Sequence, residues 1–312
     1  MKLSLLPILL LSTGLAVAQN TAAQLSQETE TPENLNVQGN PPMLGLHWSR
    51  DFQPNVRAAN DARTGFARRS ANMTYHGGKI MPTAITQTIF WGTSWGSYSG
   101  DKITGMDQWY IGHNGSNYAK TSDEYTGTNG KVTATTTHLG HIIDTSPSSG
   151  GGNTQTILNE VCKLVTPDAS GNGYYAVYSD TPRGNAGYCA WHSAGTCGGK
   201  PLQFAFFFKL DGDAGCDPGD TSGLHSQGLA AIANVSGHEL SEARSDPSSP
   251  GAWYDSSGAE NGDKCAWTFG APLVALSNGS QWKIQGEWSN AAYTAGTGYP
   301  NSSGQKGCLS GK

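Results

Sequence analysis

The residues best suited to chemistry lie in one stretch. It runs His238-Glu239-Leu240-Ser241-Glu242, with Asp246 behind it, and continues through Trp253-Tyr254-Asp255 to Glu260-Asn261-Gly262-Asp263. On a helix, an imidazole and a carboxylate four residues apart lie on the same face, so His238 and Glu242 can grip one cation. The pattern is HExxE, one substitution away from the HExxH of zinc peptidases. A catalytic zinc of that kind takes three protein ligands and keeps one open position; Glu260, Asp255 and Asp263 are the candidates for the third. Glu239 is then the candidate base that takes a proton from attacking water, and Tyr254 or His192 would stabilise the oxyanion. The chemistry expected is metal-dependent hydrolysis of a protein or peptide substrate.

Two rivals come from the same residue types. Glu242 in place of a second histidine adds a negative charge and an oxygen ligand, which suits calcium or manganese better than zinc. Glu239, Glu242, Asp246, Asp255, Glu260 and Asp263 outnumber the nearby histidines, so a structural calcium ion is the alternative cofactor. A third possibility is a helix whose glutamates are solvated or paired with Arg244. Trp91, Trp95, Tyr98, Trp109 and Tyr110 suggest another class of function, a non-catalytic protein that binds cell-wall polysaccharide on an aromatic platform. The same side chains would otherwise fill a core. Of the remaining histidines, His138 and His141 sit on an expected strand at a spacing that puts them on opposite faces.

The elements that must position these residues can be read from periodicity. From His225 through Leu229, Ile232, Val235 and Leu240 to Ala243 the apolar steps predict a helix with one buried face. Asp246-Pro247 stops it, because proline disfavours helical geometry in the residue before it. Strands are predicted at Ala84 to Trp91, Thr135 to Ile143, Tyr174 to Tyr178 and Phe204 to Leu210. The last is almost wholly apolar and therefore central. Helices are predicted at Lys102 to Tyr110 and Thr154 to Val165. This alternation describes one α/β domain over residues 71–312, a mixed sheet layered with helices. It would carry a zincin-like site helix and a loop-rich, disulfide-stapled C-terminal part.

Met1-Lys2, a short apolar run and Ala16-Val17-Ala18 form a cleaved secretory signal over residues 1–18. Residues 19–70, polar and without a sustained period, read as a flexible leader or pro-segment; Arg63, Arg68 and Arg69 mark either a processing site or a solvated linker. In an oxidising compartment the six cysteines pair as disulfides, in any of fifteen connectivities. Chain proximity favours Cys189 with Cys197 and Cys265 with Cys308, which leaves Cys162 with Cys216. The formal net charge of -5, with no basic stripe, argues against nucleic acid as a partner. No later segment has the length to span a membrane. A secreted monomer is expected.

Four short motifs carry a resemblance. They are Tyr75-His76-Gly77-Gly78 ahead of a strand ending Phe90-Trp91-Gly92, Tyr188-Cys189 with Cys197-Gly198, Asp246-Pro247 followed by Trp253-Tyr254, and Trp288-Ser289 before a final cysteine. With these the chain resembles the phosphate-induced protein 1 (EXORDIUM-like) family over about residues 72–310. The resemblance implies an exported protein of that family's fold. Plant members are extracellular and linked to growth, and they hand over no settled reaction. The version His-Glu-Leu-x-Glu-Ala, with Trp-Tyr-Asp and Glu-x-Gly-Asp-x-Cys after it, is similar to microbial relatives. If the signal is as read, N-terminal sequencing of exported protein starts at Gln19 or, with the leader removed, near residue 70; an intact Met1 in the medium refutes it.

Overall fold

The computed structural model describes residues 39–52 and 71–312. The expected signal segment and Arg63, Arg68 and Arg69 lie outside the described residues. The core is a six-stranded sheet of β1 (Leu46–Trp48), β2 (Ala84–Trp91), β3 (Thr136–Asp144), β4 (Gly173–Pro182), β5 (Tyr188–Cys197) and β6 (Lys200–Lys209), in the order β1-β5-β6-β4-β2-β3. The sheet is mixed, as expected: β6, β4, β2 and β3 run parallel, whereas β5 is antiparallel to both β6 and β1. β6 is buried from Leu202 to Phe208, which accounts for its continuous apolar run in the sheet's interior.

Among the described residues, α1 (Lys102–His113), α2 (Thr154–Leu164) and α3 (Gln227–Ser245) layer on this sheet, and the short α4 (Asn290–Ala295) packs on the C-terminal strand Lys306–Leu309. The side chain of Asn153 accepts from Thr156 N to start α2, and that of Ser226 accepts from Leu229 N to start α3, each supplying a partner to a backbone N–H that the helix leaves unpaired. α3 lies on β5, β6 and β1 and meets α1 on another side. The expectation of one buried face is therefore corrected: every residue from Gly228 to Ser245 is buried. Most of its polar groups are matched one by one. Asn234 Oδ1 accepts from Gln285 N, Ser236 Oγ meets Tyr178 Oη, and Ser241 Oγ accepts from Asn261 Nδ2. Arg244 donates to the Ala119 and Thr133 carbonyls and makes no ion pair with the helix glutamates.

Three sequence expectations change. Residues 39–52, inside the stretch read as a leader, are built into the fold. β1 forms the sheet's edge against β5, with Met43 and Leu46 in the core and His47 fully buried. The alternation Leu44-Gly45-Leu46 was the local sign of a strand in otherwise polar sequence. The second change concerns the disulfides, which are Cys162–Cys197, Cys189–Cys216 and the expected Cys265–Cys308. Cys189 and Cys197 stand at opposite regions of one extended strand, roughly 26 Å apart at the usual rise per residue, whereas a disulfide spans at most about 7 Å between Cα atoms. Third, His138 and His141 do share a face. Gly140 sits at φ 83°, and the β2–β3 register slips beside it. That bulge reverses the parity of the strand, so both rings reach Asp107, at 2.9 and 2.7 Å.

Because β1 is part of the core, Leu46→Ala is expected to lower unfolding stability by about 2–5 kcal/mol, as for other buried leucines. Chemical denaturation checks it; an unchanged midpoint would return residues 39–52 to the status of a leader.

Candidate metal centre

The middle of α3 presents His238, Glu239 and Glu242, all fully buried. β5 brings His192 to the same place, and the loop after Trp253–Tyr254 brings Glu260 and Asp263. His238 Nε2 and Glu242 Oε1 are 3.0 Å apart, but not in line for a hydrogen bond, and His238 Nε2 has no partner. Glu242 Oε1 accepts from Asp263 N at 2.9 Å. His192 Nδ1 lies 3.3 Å from Glu239 Oε2 and 3.7 Å from Glu242 Oε2. Asp263 Oδ1 is 3.7 Å from His238 Nε2. The ligand atoms thus fall into two groups, His192 with Glu239 and Glu242, and His238 with Glu242 and Asp263, each with all its atoms within 4.8 Å of one another. Only Glu242 belongs to both.

No lysine or arginine among the described residues pairs with these carboxyl groups. Glu239 Oε1, Glu242 Oε2 and Glu260 Oε2 have no hydrogen-bond partner. Among the described residues, the ion pairs made by Glu239, Glu242, Glu260 and Asp263 are with histidines alone. Burial pushes the Glu242 carboxyl up to about 8. It drives Glu239, Glu260 and Asp263 well above the usual range, with further repulsion from neighbouring carboxylates including Glu242. Asp246 is raised to about 7, again chiefly by burial. The same burial lowers His192 and His238 to about 3, which keeps both rings neutral. Neutral imidazoles and carboxylates without cations are the donor set of a metal site.

Of the residues singled out in the sequence, His192, His238, Glu239, Glu242, Glu260 and Asp263 come together. Asp255 and Tyr254 are placed elsewhere. Asp255 pairs with Lys264 at 2.6 Å and accepts from Ser257, and the Tyr254 ring stacks on His76 at 3.6 Å. Trp91, Trp95, Trp109 and Tyr110 are buried in the core and offer no platform. Sequence reading missed His47 and Gln285. The His47 ring lies 4.2 Å from that of His238, and Gln285 joins the two, its Oε1 3.1 Å from His47 Nε2 and its Nε2 3.1 Å from His238 Nδ1. His47 was hidden by its place in the supposed leader, and a lone glutamine carries no motif. Gly45, from the same segment, lies directly against the cluster. A Cβ at that position would collide with Glu242 Oε2 and the His192 ring.

Comparison with protein-family models, with curated proteins and with solved structures finds no match to this chain. Among the described residues no helix is long and apolar enough to cross a membrane.

A pH dependence follows for metal-free protein. With Glu242 held at about 8 against an ordinary 4.5, and Asp246 at about 7 against 3.8, the folded state keeps protons that the unfolded chain has released. Stability then falls as pH rises through this interval. His192 and His238, lowered to about 3 in the fold, oppose this trend only below their ordinary 6.5, so thermal unfolding in the presence of a chelator is expected to show a higher Tm at pH 7 than at pH 8, with zinc in excess of the chelator raising the value at pH 8. A Tm that rises from pH 7 to pH 8 under chelation refutes this account of the cluster.

Proposed function

We propose that the protein is an exported, zinc-dependent hydrolase of peptide bonds whose ion is held by the glutamates of α3. The observation that carries this reading is the set of buried, unpartnered carboxylate oxygens converging on neutral histidines. An unpaired charge inside a protein costs several kcal/mol, and a divalent cation offsets it. Imidazole nitrogen among the ligand atoms favours zinc over calcium, which takes six to eight oxygens. When bound, such an ion polarises a carbonyl and lowers the pKa of water.

The chain's own groups do the rest. Glu242, the member common to both ligand groups, anchors the ion. Glu260 keeps an Oε2 with no hydrogen-bond partner, and burial beside other carboxylates pushes its carboxyl well above the usual range, so it is the group suited to hold a proton next to the ion. Support for a peptide substrate comes from the extended strand that already crosses the cluster. Leu44 N donates to the His192 carbonyl at 2.9 Å and His192 N to the Gly45 carbonyl at 3.2 Å, so a main chain laid antiparallel along β5 runs over the ligand atoms. Residues 44–48 must yield for another peptide to take that place. Export is supported by the three disulfides and by the signal-like start of the chain. The motif resemblance to the phosphate-induced protein 1 family agrees with an extracellular role.

Elemental analysis of purified protein, coupled to hydrolysis of an unfolded protein substrate, tests this. Bound zinc is expected, with hydrolysis abolished by a chelator and restored by zinc. Glu242→Gln is expected to lose the ion and to lower the rate by about 10²-fold or more, the lower range for an acid–base or ligand group. Chain that takes up no divalent metal, or hydrolysis indifferent to chelation, refutes the proposal.

A further inference from the structure

The two ligand groups share Glu242 but differ in what their histidines can offer, because the surroundings of each ring decide where its proton sits. Gln285 Oε1 accepts from the Trp267 backbone N–H at 3.3 Å, and Gln285 Nε2 donates to the Gly262 carbonyl at 2.9 Å. Neither backbone group can reverse its role, so the amide's orientation is set. Its second Nε2 hydrogen faces His238 Nδ1 at 3.1 Å, which must accept it. A neutral His238 therefore carries its proton on Nε2, the atom beside Glu242 Oε1. The nitrogen that a metal would need on that side is already occupied.

His192 is arranged the other way round. Its Nε2 faces the Asp246 carbonyl at 3.4 Å, with Glu260 Oε2 beyond at 3.9 Å. The carbonyl can only accept, so Nε2 is the nitrogen whose proton it can hold. Nδ1, hydrogen-bonded to Glu239 Oε2 at 3.3 Å and 3.7 Å from Glu242 Oε2, is the nitrogen that can exchange its carboxyl contact for a metal. A carbonyl or carboxylate behind one ring nitrogen is the support that prepares the other for a metal. Both glutamates also keep an oxygen with no hydrogen-bond partner, Oε1 of Glu239 and Oε2 of Glu242.

Taking the cluster as a metal centre, as proposed above, we infer that the ion is seated on His192 Nδ1, Glu239 and Glu242. Glu239 is then a ligand and not the base its place in HExxE suggests. His238 is then no part of the ion's ligand set: its Nε2, 3.0 Å from Glu242 Oε1, keeps its proton. Glu260 and Asp246 orient His192 from behind. Among the described residues no one group of converging ligand atoms contains both histidines, so the ion is assigned to His192 and not to His238. The third member of the rival group, Asp263, keeps two structural tasks instead: its backbone N–H donates to Glu242 Oε1 and its Oδ2 accepts from Glu260 N.

The test uses the intact chain, labelled with nitrogen-15 at histidine and loaded with cadmium as a spectroscopic stand-in for zinc. Nuclear magnetic resonance is expected to show one metal-bound histidine, coordinated through Nδ1 and protonated at Nε2. Coordination through Nε2 overturns the inference while leaving the hydrolase reading intact. Failure to take up either cadmium or zinc overturns both. Zinc titration of variants gives an independent check, with circular dichroism confirming that each is folded. Glu239→Gln and His192→Gln are expected to lower zinc affinity by at least about 10-fold, and Glu260→Gln by about 10- to 100-fold, the range for residues that orient a ligand. His238→Gln should stay within the same order of magnitude as the parent. The opposite pattern, with zinc retained in Glu239→Gln and lost in His238→Gln, overturns the inference in favour of the pocket that the motif suggests.

Discussion

Two glutamates on a fully enclosed helix, with no lysine or arginine among the described residues to pair them, are the constraint on which the rest of this molecule depends. Charge is tolerated in a protein interior only when partners or a metal compensate it. α3 meets that requirement almost everywhere along its length. Asn234, Ser236, Ser241 and Arg244 each find a hydrogen-bond partner on a distant segment, which pins the helix in rotation and depth. His238, Glu239 and Glu242 are held rigidly by that framework and yet keep unpartnered atoms. Asn234 Nδ2 and Arg244 Nε are also without a partner, but only at His238, Glu239 and Glu242 do several such atoms on α3 converge with groups from other segments, which makes that patch a functional candidate.

The enclosure is built from both ends of the described chain. The edge strand β1 lays Gly45 against Glu242 and His192, a contact that only a residue without a Cβ permits. From the other side come the loop bearing Glu260 and Asp263, and Gln285, which places itself between His47 and His238. The Cys265–Cys308 disulfide ties the end of that loop to the C-terminal strand. Such loops have little regular structure of their own, so covalent and side-chain ties fix their geometry. The result excludes water from the ligand atoms, which strengthens every electrostatic interaction there. It also leaves the edge of β5 already occupied by residues 46–48.

Local pattern was sufficient for much of the architecture. The strands at Ala84–Trp91 and Thr136–Asp144 and the helix at Thr154–Leu164 appear within a residue or so of their sequence expectation, because apolar period is a property of neighbouring residues. The density of Glu239, Glu242, Glu260 and Asp263 around His238 was equally visible, since chemistry-bearing side chains can be counted along the chain. Where one residue altered the pattern, the reading failed. Gly140 turns β3 by a bulge and brings His138 and His141 to the same carboxylate.

What the sequence alone determined is the list of ligand types, the helix that carries three of them and the mixed α/β class of the fold. Only the tertiary structure decided which residues meet. It drew His192 from an unanticipated strand and His47 from a supposed leader, sent Asp255 to Lys264 and re-paired four cysteines. The reason is physical: periodicity reports which face of an element is buried, whereas a ligand set and a histidine's tautomer depend on backbone groups far away in the chain. Trp267 and Gly262 hold the Gln285 amide against His238, and the Asp246 carbonyl meets His192, through contacts that exist only once the sheet, the helix and the C-terminal loops have closed on one another.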